Sequence, residues 1–304
     1  MLGFNDKSEN YALFYISVVV ICWSFVPVIL KLLVQDLSIV QINFYMYIFA
    51  IAGALTLAAL EGRKNLFSGY SWGDAPKLVL LSIIGLVLYD LSFTYSFTLV
   101  SSAEANSINY MWPFLTVVFS IALLGERLSG KEFAGLGIGF FGAFLMLSKG
   151  FSPAAMFSNI WADLLIVFAA SCWALFNVLM KKLKYEIYGS FIALNLIALA
   201  IFSGFIVGSG QFVVPNLRDL SLIFFMGVIG SAVGMSLFWR AMQLSKTSRV
   251  ASIVYVTPFV SLAWAAIFFG ERIYWYYTLG IVLVIIGAKI ASSREKKSVP
   301  SRVT

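Results

Sequence analysis

The chain has 304 residues, of which 61% are hydrophobic and only 12% charged, with a formal net charge of +7 and no histidine. Soluble domains run at about 45–50% apolar and about 25% charged. This sequence therefore has roughly half the charge of a water-facing surface, which excludes a soluble enzyme of this size. At about 20 residues per spanning helix, the length holds at most about a dozen spans and leaves no separate aqueous domain.

The absence of histidine removes imidazole from every catalytic, metal and proton-relay scheme. Cys22 and Cys172 both lie in apolar runs, so neither a zinc site nor a disulfide framework is expected, and no metal or cofactor is called for. The positive balance reads as basic loops beside a membrane rather than as a nucleic-acid footprint. The opening residues carry Asp6 and Glu9 and lack a basic signal-peptide start, so the first apolar run is expected to stay as a helix.

Taken in chain order, apolar runs between charged or turn-rich breaks predict ten spans, at 11–33, 41–60, 76–99, 104–124, 132–149, 161–181, 189–208, 219–243, 249–269 and 274–292. With the amino terminus inside, 17 of the 21 Lys and Arg fall at the inner ends; Lys31, Lys149, Arg218 and Arg272 are left outside. That bias predicts both termini on the cytoplasmic side of a cell membrane. The fold class expected is thus an all-α membrane protein of ten transmembrane helices.

The two halves repeat one another. Cys22-Trp23 with Lys31 matches Cys172-Trp173 with Lys181 at an offset of 150 residues. Tyr110, Pro113-Phe114 and Gly125-Glu126-Arg127 match Tyr255, Pro258-Phe259 and Gly270-Glu271-Arg272 at an offset of 145. The predicted units are 1–149 and 150–293, followed by a basic cytoplasmic tail at 294–304. Each unit has five helices, an odd number, so the second enters the bilayer from the opposite face. Such inverted repeats are the recurrent design of secondary transporters.

These residues carry a family resemblance. The paired Cys-Trp with Lys, the Pro-Phe followed by Gly-Glu-Arg in each half, and the ten-span layout resemble the drug/metabolite transporter superfamily, EamA type, over about 11–292. The resemblance implies two inverted five-helix repeats and export or exchange of a small metabolite, often an amino acid. Aromatic amino-acid exporters are in that group, as are carriers of sugars and nucleotide sugars.

Polar groups at membrane depth are costly and belong on the bundle interior or in water. In the first helix Trp23, Pro27 and Lys31 share a face, and in the sixth Trp173, Asn177 and Lys181 repeat it. The fourth places Asn106, Asn109, Tyr110 and Pro113 together, with Trp112 beside them, and the ninth offers Tyr255. Pro113 frees the Asn109 carbonyl. In the third, Asp90 lies about 14 residues in, roughly 21 Å deep at 1.5 Å per residue, flanked by Tyr89 and Phe93. It is the candidate for proton coupling or for an ammonium. The substrate chamber expected on this reading takes Trp23, Tyr89, Phe93, Tyr110, Trp112 and Trp173 for apolar contact, and Asp90, Asn109 and Asn177 for orientation. Glu104 is expected near the outer surface, solvated or paired with Lys31. The glycines of the fifth and tenth helices, among them Gly139, Gly142 and Gly280, read as helix-packing surfaces.

No GxxxxGK[ST] loop is present, so the energy source expected is a gradient. The deep acids reduce to Asp90 on this reading, too few for an intramembrane hydrolase, and the chain is expected not to be an enzyme. The partners expected are a small-molecule substrate and the lipid bilayer, with the chain a monomer or homodimer. A carrier of another solute, such as a sugar, nucleotide sugar or lipid, is the alternative.

Overall fold

A computed structural model describes residues 6–124, 130–152, 159–180, 186–210, 212–244 and 256–291. Six helical stretches among them are long and apolar enough to cross a membrane: Asn10–Leu33, Ile39–Leu60, Ala75–Leu99, Ile160–Met180, Tyr188–Ser209 and Leu217–Phe238. Large side chains face outward along the bundle, including Trp161 at 80% and Phe133 at 71% exposure. Such a surface suits hydrocarbon and not water.

We number the helices in chain order. Helix α1 (Asp6–Leu33) runs through Pro27 without a break. Helix α2 (Ile39–Leu60) starts on a capping box, in which Ser38 and Gln41 each satisfy the other's backbone N–H. Helix α3 covers Ala75–Ser82, a π-helical stretch at Ile83–Leu88, and Tyr89–Leu99. Next come α4 (Ser102–Asn109), α5 (Trp112–Leu124) and α6 (Gly130–Leu147). The second half contains α7 (Ile160–Met180) and α8 (Ile187–Ser209). Helix α9 covers Leu217–Phe224, a π-helical stretch at Phe225–Val233, and Gly234–Leu244. Then follow α10 (Thr257–Phe269) and α11 (Trp275–Ala291).

One expected helix is corrected. The run 104–124 is not continuous: α4 ends at Asn109 and α5 starts at Trp112. Pro113 has no N–H to return to the Asn109 carbonyl, so the ladder is interrupted there. Tyr110 N instead bonds Asn106 O and Met111 N bonds Ile108 O, a tightened turn between the two segments. Of the run 249–269, the part up to 255 lies outside the described residues, as do Gly125-Glu126-Arg127, Lys181 and the tail at 294–304.

Packing partners exchange between the halves. Helix α1 packs on α9 and α10, and its counterpart α7 packs on α3 and on the α4–α5 pair. Helix α2 packs on α8 and α9, and α8 packs on α2 and α3. The correspondence reaches single contacts. A Cβ on Gly85 would collide with the ring of Phe176, and one on Gly230 would meet Val26 at 3.4 Å. Those pairs are related by the same offsets, 145 and 150, that align the sequence motifs. Both third helices carry their π-helical stretch at this point, and π-helical turns concentrate at functional sites.

Helices α6 and α11 form the closest pair, and glycine makes it possible. A Cβ on Gly142 would stand 2.7 Å from Gly280 O, and one on Gly287 would strike the backbone of Gly135 and Gly139. Gly137, in contrast, faces open space.

Candidate functional site

An aromatic cluster joins α3 to α7. The Tyr89 ring stacks on Phe93 at 5.5 Å and lies 5.0 Å from Trp173, which in turn sits 5.4 Å from Phe176. Helix geometry puts Tyr89 and Phe93 one turn apart on one face, and the π-helical stretch just before Tyr89 turns that face toward α7. Asn109, at the end of α4, donates from Nδ2 to the Tyr89 hydroxyl at 3.4 Å. Its own Oδ1 is buried without a hydrogen-bond partner among the described residues.

More polar atoms on α4 and α10 share that state among the described residues. Ser102 Oγ, Asn106 Nδ2 and Ser107 Oγ on α4, and Ser261 Oγ on α10, are buried without a hydrogen-bond partner among the described residues. Each such group costs several kcal/mol in an apolar medium unless water or a solute satisfies it. Helix α4 therefore combines polar atoms in need of partners with the ring surface of Tyr89, Phe93 and Trp173. That combination suits an amphipathic small molecule.

The other expected residues distribute around this centre. Asp90 is half-buried and accepts a hydrogen bond from the Tyr47 hydroxyl of α2. Tyr47 is itself fully buried beside Phe202. Tyr110 bonds Thr257 at the start of α10, and Trp112 is half-buried at the start of α5. Asn177 Nδ2 is committed to the Trp173 carbonyl at 2.8 Å. Trp23 is not part of the Trp173 cluster. Its Nε1 donates to Gly230 O at 2.9 Å and its ring lies 5.5 Å from Phe238, both on α9. Tyr255 lies outside the described residues.

Several participants escaped the sequence reading. Trp264 stacks on Phe25 at 4.5 Å and donates from Nε1 to Ser24 Oγ at 3.0 Å, fixing α10 against α1. Asp163, in the first turn of α7, is fully buried although it lies near the end of its span. Glu104 pairs with Lys149 at 2.9 Å and not with Lys31, whose Nζ donates to the carbonyls of Phe97 and Val100, each at 2.8 Å. The reason is reach. Lys31 finds two freed carbonyls at the end of α3, whereas Lys149 projects from the end of α6 toward α4.

The two ends of the bundle differ. Where α1 finishes, contacts tie the helices together. Gly270 ends α10 in the left-handed region (φ +64°), and the next residue, Glu271, accepts from the N–H groups of Ser102 and Ala103 at 2.8 and 2.7 Å. A carboxylate thus caps α4. At the opposite end a cleft of about 610 Å³ is lined by Tyr15, Glu61, Arg63, Arg240 and Leu244. Glu61 pairs there with Arg240 and accepts from the Tyr188 hydroxyl at 2.5 Å.

Lipid-facing apolar flanks, a polar and aromatic interior and a cleft at one end define a multi-span membrane protein that handles small molecules. The EamA-like transporter family model matches residues 10–148 and again 160–293, and the chain belongs to that family. A probable amino-acid metabolite efflux pump of Escherichia coli (strain K12) is 23% identical over 254 residues, covering 78% of this chain and 84% of that protein. The pseudopaline exporter of Pseudomonas aeruginosa (strain UCBPP-PA14) is 29% identical over 224 residues, 73% of this chain and 76% of its own length. An uncharacterized transporter of Clostridium kluyveri is 23% identical over 88% of both chains. A crystal structure superposes with a TM-score of 0.66 over 92% of this chain and 97% of its own, at 18% identity, and so speaks to the fold alone.

Proposed function

We propose that this chain is a secondary transporter exporting or exchanging a small amphipathic metabolite, an amino acid with an apolar or aromatic side chain being the best fit. The observation that carries the reading is the junction of the Tyr89–Phe93–Trp173 ring cluster with the unpaired Oδ1 of Asn109 and Nδ2 of Asn106. Rings offer stacking surface worth about 0.5–1.5 kcal/mol per pair beyond simple burial. The amides offer one acceptor and one donor for the polar end of a solute. Asp90, held by Tyr47 on the adjacent face of α3, supplies a negative charge for an ammonium group or takes a proton in its place. The names of the relatives, a metabolite efflux pump and an exporter, support the direction.

On this reading the units 1–149 and 150–293 are inverted repeats of five helices. Their exchange of packing partners lets the bundle open to either side in turn, and both termini lie in the cytoplasm. A thermal-shift screen of purified protein against metabolite classes tests the solute. A ligand bound only by the folded form adds about 2.7 kcal/mol at a hundredfold excess over Kd. Apolar amino acids should raise the unfolding temperature of the wild type and leave Trp173→Ala unshifted. No shift from any amino acid would remove the amino-acid reading.

A further inference from the structure

The end of the bundle where α1 finishes holds a charge cluster that solute binding does not use. Glu104 lies in the first turn of α4, Lys149 just beyond α6, and Asp163 in the first turn of α7. Lys149 Nζ is 2.9 Å from Glu104 Oε1 and 3.4 Å from Asp163 Oδ2. Asp163 is 0% and Lys149 7% exposed. Two carboxylates against one ammonium leave a negative charge in excess, with Asp163 out of reach of water and Glu104 half-buried.

The carboxyls also meet each other. Glu104 and Asp163 both reach the one ammonium of Lys149, which brings them face to face, and the buried Oδ1 of Asp163 has no hydrogen-bond partner among the described residues. A carboxyl–carboxyl hydrogen bond exists only when one partner carries the proton, and two ionised carboxylates so close repel. Among the described residues no second cation pairs with Glu104 or Asp163. Tyr276 and Tyr277 approach from α11, with Tyr277 bonded to Glu104. Glu271 is committed to the α4 cap and Lys31 to the Phe97 and Val100 carbonyls.

The backbone is shaped to deliver Lys149. Lys149, Gly150 and Phe151 all take positive φ, at +48°, +74° and +63°. Non-glycine residues in that region cost of order 1–3 kcal/mol and cluster at ligand clamps and switch regions. Phe151 anchors the turn against Phe141 and Phe144.

We propose that Glu104 and Asp163 share a single proton and, with Lys149, form a latch that holds α4 of the first half to α7 of the second. When that proton passes to water on the same side of the membrane, two adjacent carboxylates remain against one ammonium, and the helices part. The gating role rests on the transport reading above; the shared proton does not.

Infrared pH-difference spectra of the purified protein in lipid, with no solute added, test it. The expected result is a protonated-carboxyl C=O band that disappears as pH rises, is absent from Glu104→Gln and from Asp163→Asn, and survives in Asp90→Asn. Lys149→Gln should move the midpoint of that band upward by about one pH unit or more, since an opposite charge within about 4–6 Å shifts a carboxyl by about that much. A band that persists in both carboxyl variants, or that only Asp90→Asn removes, would overturn the proposal. So would an unmoved midpoint in Lys149→Gln, which decides the matter if a carboxyl variant does not fold. Failure of every solute screen would leave this spectrum unaffected.

Discussion

At the scale of single residues, position on a helix and position in space must be separated. Asp90 and Tyr89 are neighbours in sequence, yet one turns to Tyr47 on α2 and the other to Trp173 on α7. Asp90→Asn keeps an oxygen to accept the Tyr47 hydrogen bond, so we expect an unfolding temperature close to that of the wild type. We also expect a flattened pH dependence of transport, read in proteoliposomes. Lys149 argues differently. Burial opposes its charge, but Glu104 and Asp163 together outweigh that and hold its pKa above the ordinary lysine value. A raised folded-state pKa means that its stabilisation is complete below the usual lysine range and is lost as pH rises through the raised value. Removing the cation as Lys149→Met strands two buried acids, and breaking a buried pair costs about 3–5 kcal/mol; thermal unfolding near neutral pH reads the loss.

Between helices, the decisive quantity is how closely two backbones approach. Gly142→Ala places a methyl 2.7 Å from both Gly280 O and Leu283 Cβ. Overpacking of that kind costs about 1–3 kcal/mol. Gly137→Ala on the same helix meets nothing and should stabilise by up to about 1 kcal/mol through helix propensity. Melting the two variants side by side separates packing from propensity. Glu271→Ala frees the Ser102 and Ala103 N–H groups while Ser101 still accepts from Glu104 N–H, and should cost about 0.5–2 kcal/mol. This scale also shows where the sequence could be read. The glycine-lined pair α6–α11 was legible because small residues recur at helical spacing. The break at Tyr110–Met111 was not, because hydropathy runs unbroken through it and only the missing N–H of Pro113 signals it. Asp163 was hidden for another reason. A lone acid near a helix start looks interfacial, and its partners lie 59 and 14 residues earlier in the chain, joined to it only by tertiary packing. Trp23 packs beside Gly234 and Phe238 of α9 as Trp173 packs beside Tyr89 of α3, and Tyr89 maps onto Gly234 at the offset of 145, so the repeat indicates the helix that each Trp meets.

Taken whole, the molecule distributes its charge and its contacts in complementary ways. Ion pairs, a helix cap and lysine-to-carbonyl bonds close the end where α1 finishes, while the cleft beside Glu61 and Arg240 opens at the other. On the proposed reading that asymmetry is one state of an alternating carrier, and the exchange of packing partners between the halves offers a route to the opposite state. The basic residues predict that a tag at either terminus is reached only from the cytoplasmic side. The most direct measurement is efflux of labelled amino acids from proteoliposomes containing the purified protein, with no nucleotide present. The account predicts gradient-driven movement of an apolar or aromatic amino acid, slowed about tenfold in Trp173→Ala, as the loss of about 1.4 kcal/mol of contact dictates. Equal flux in wild type and Trp173→Ala, or no flux above empty vesicles, would contradict it.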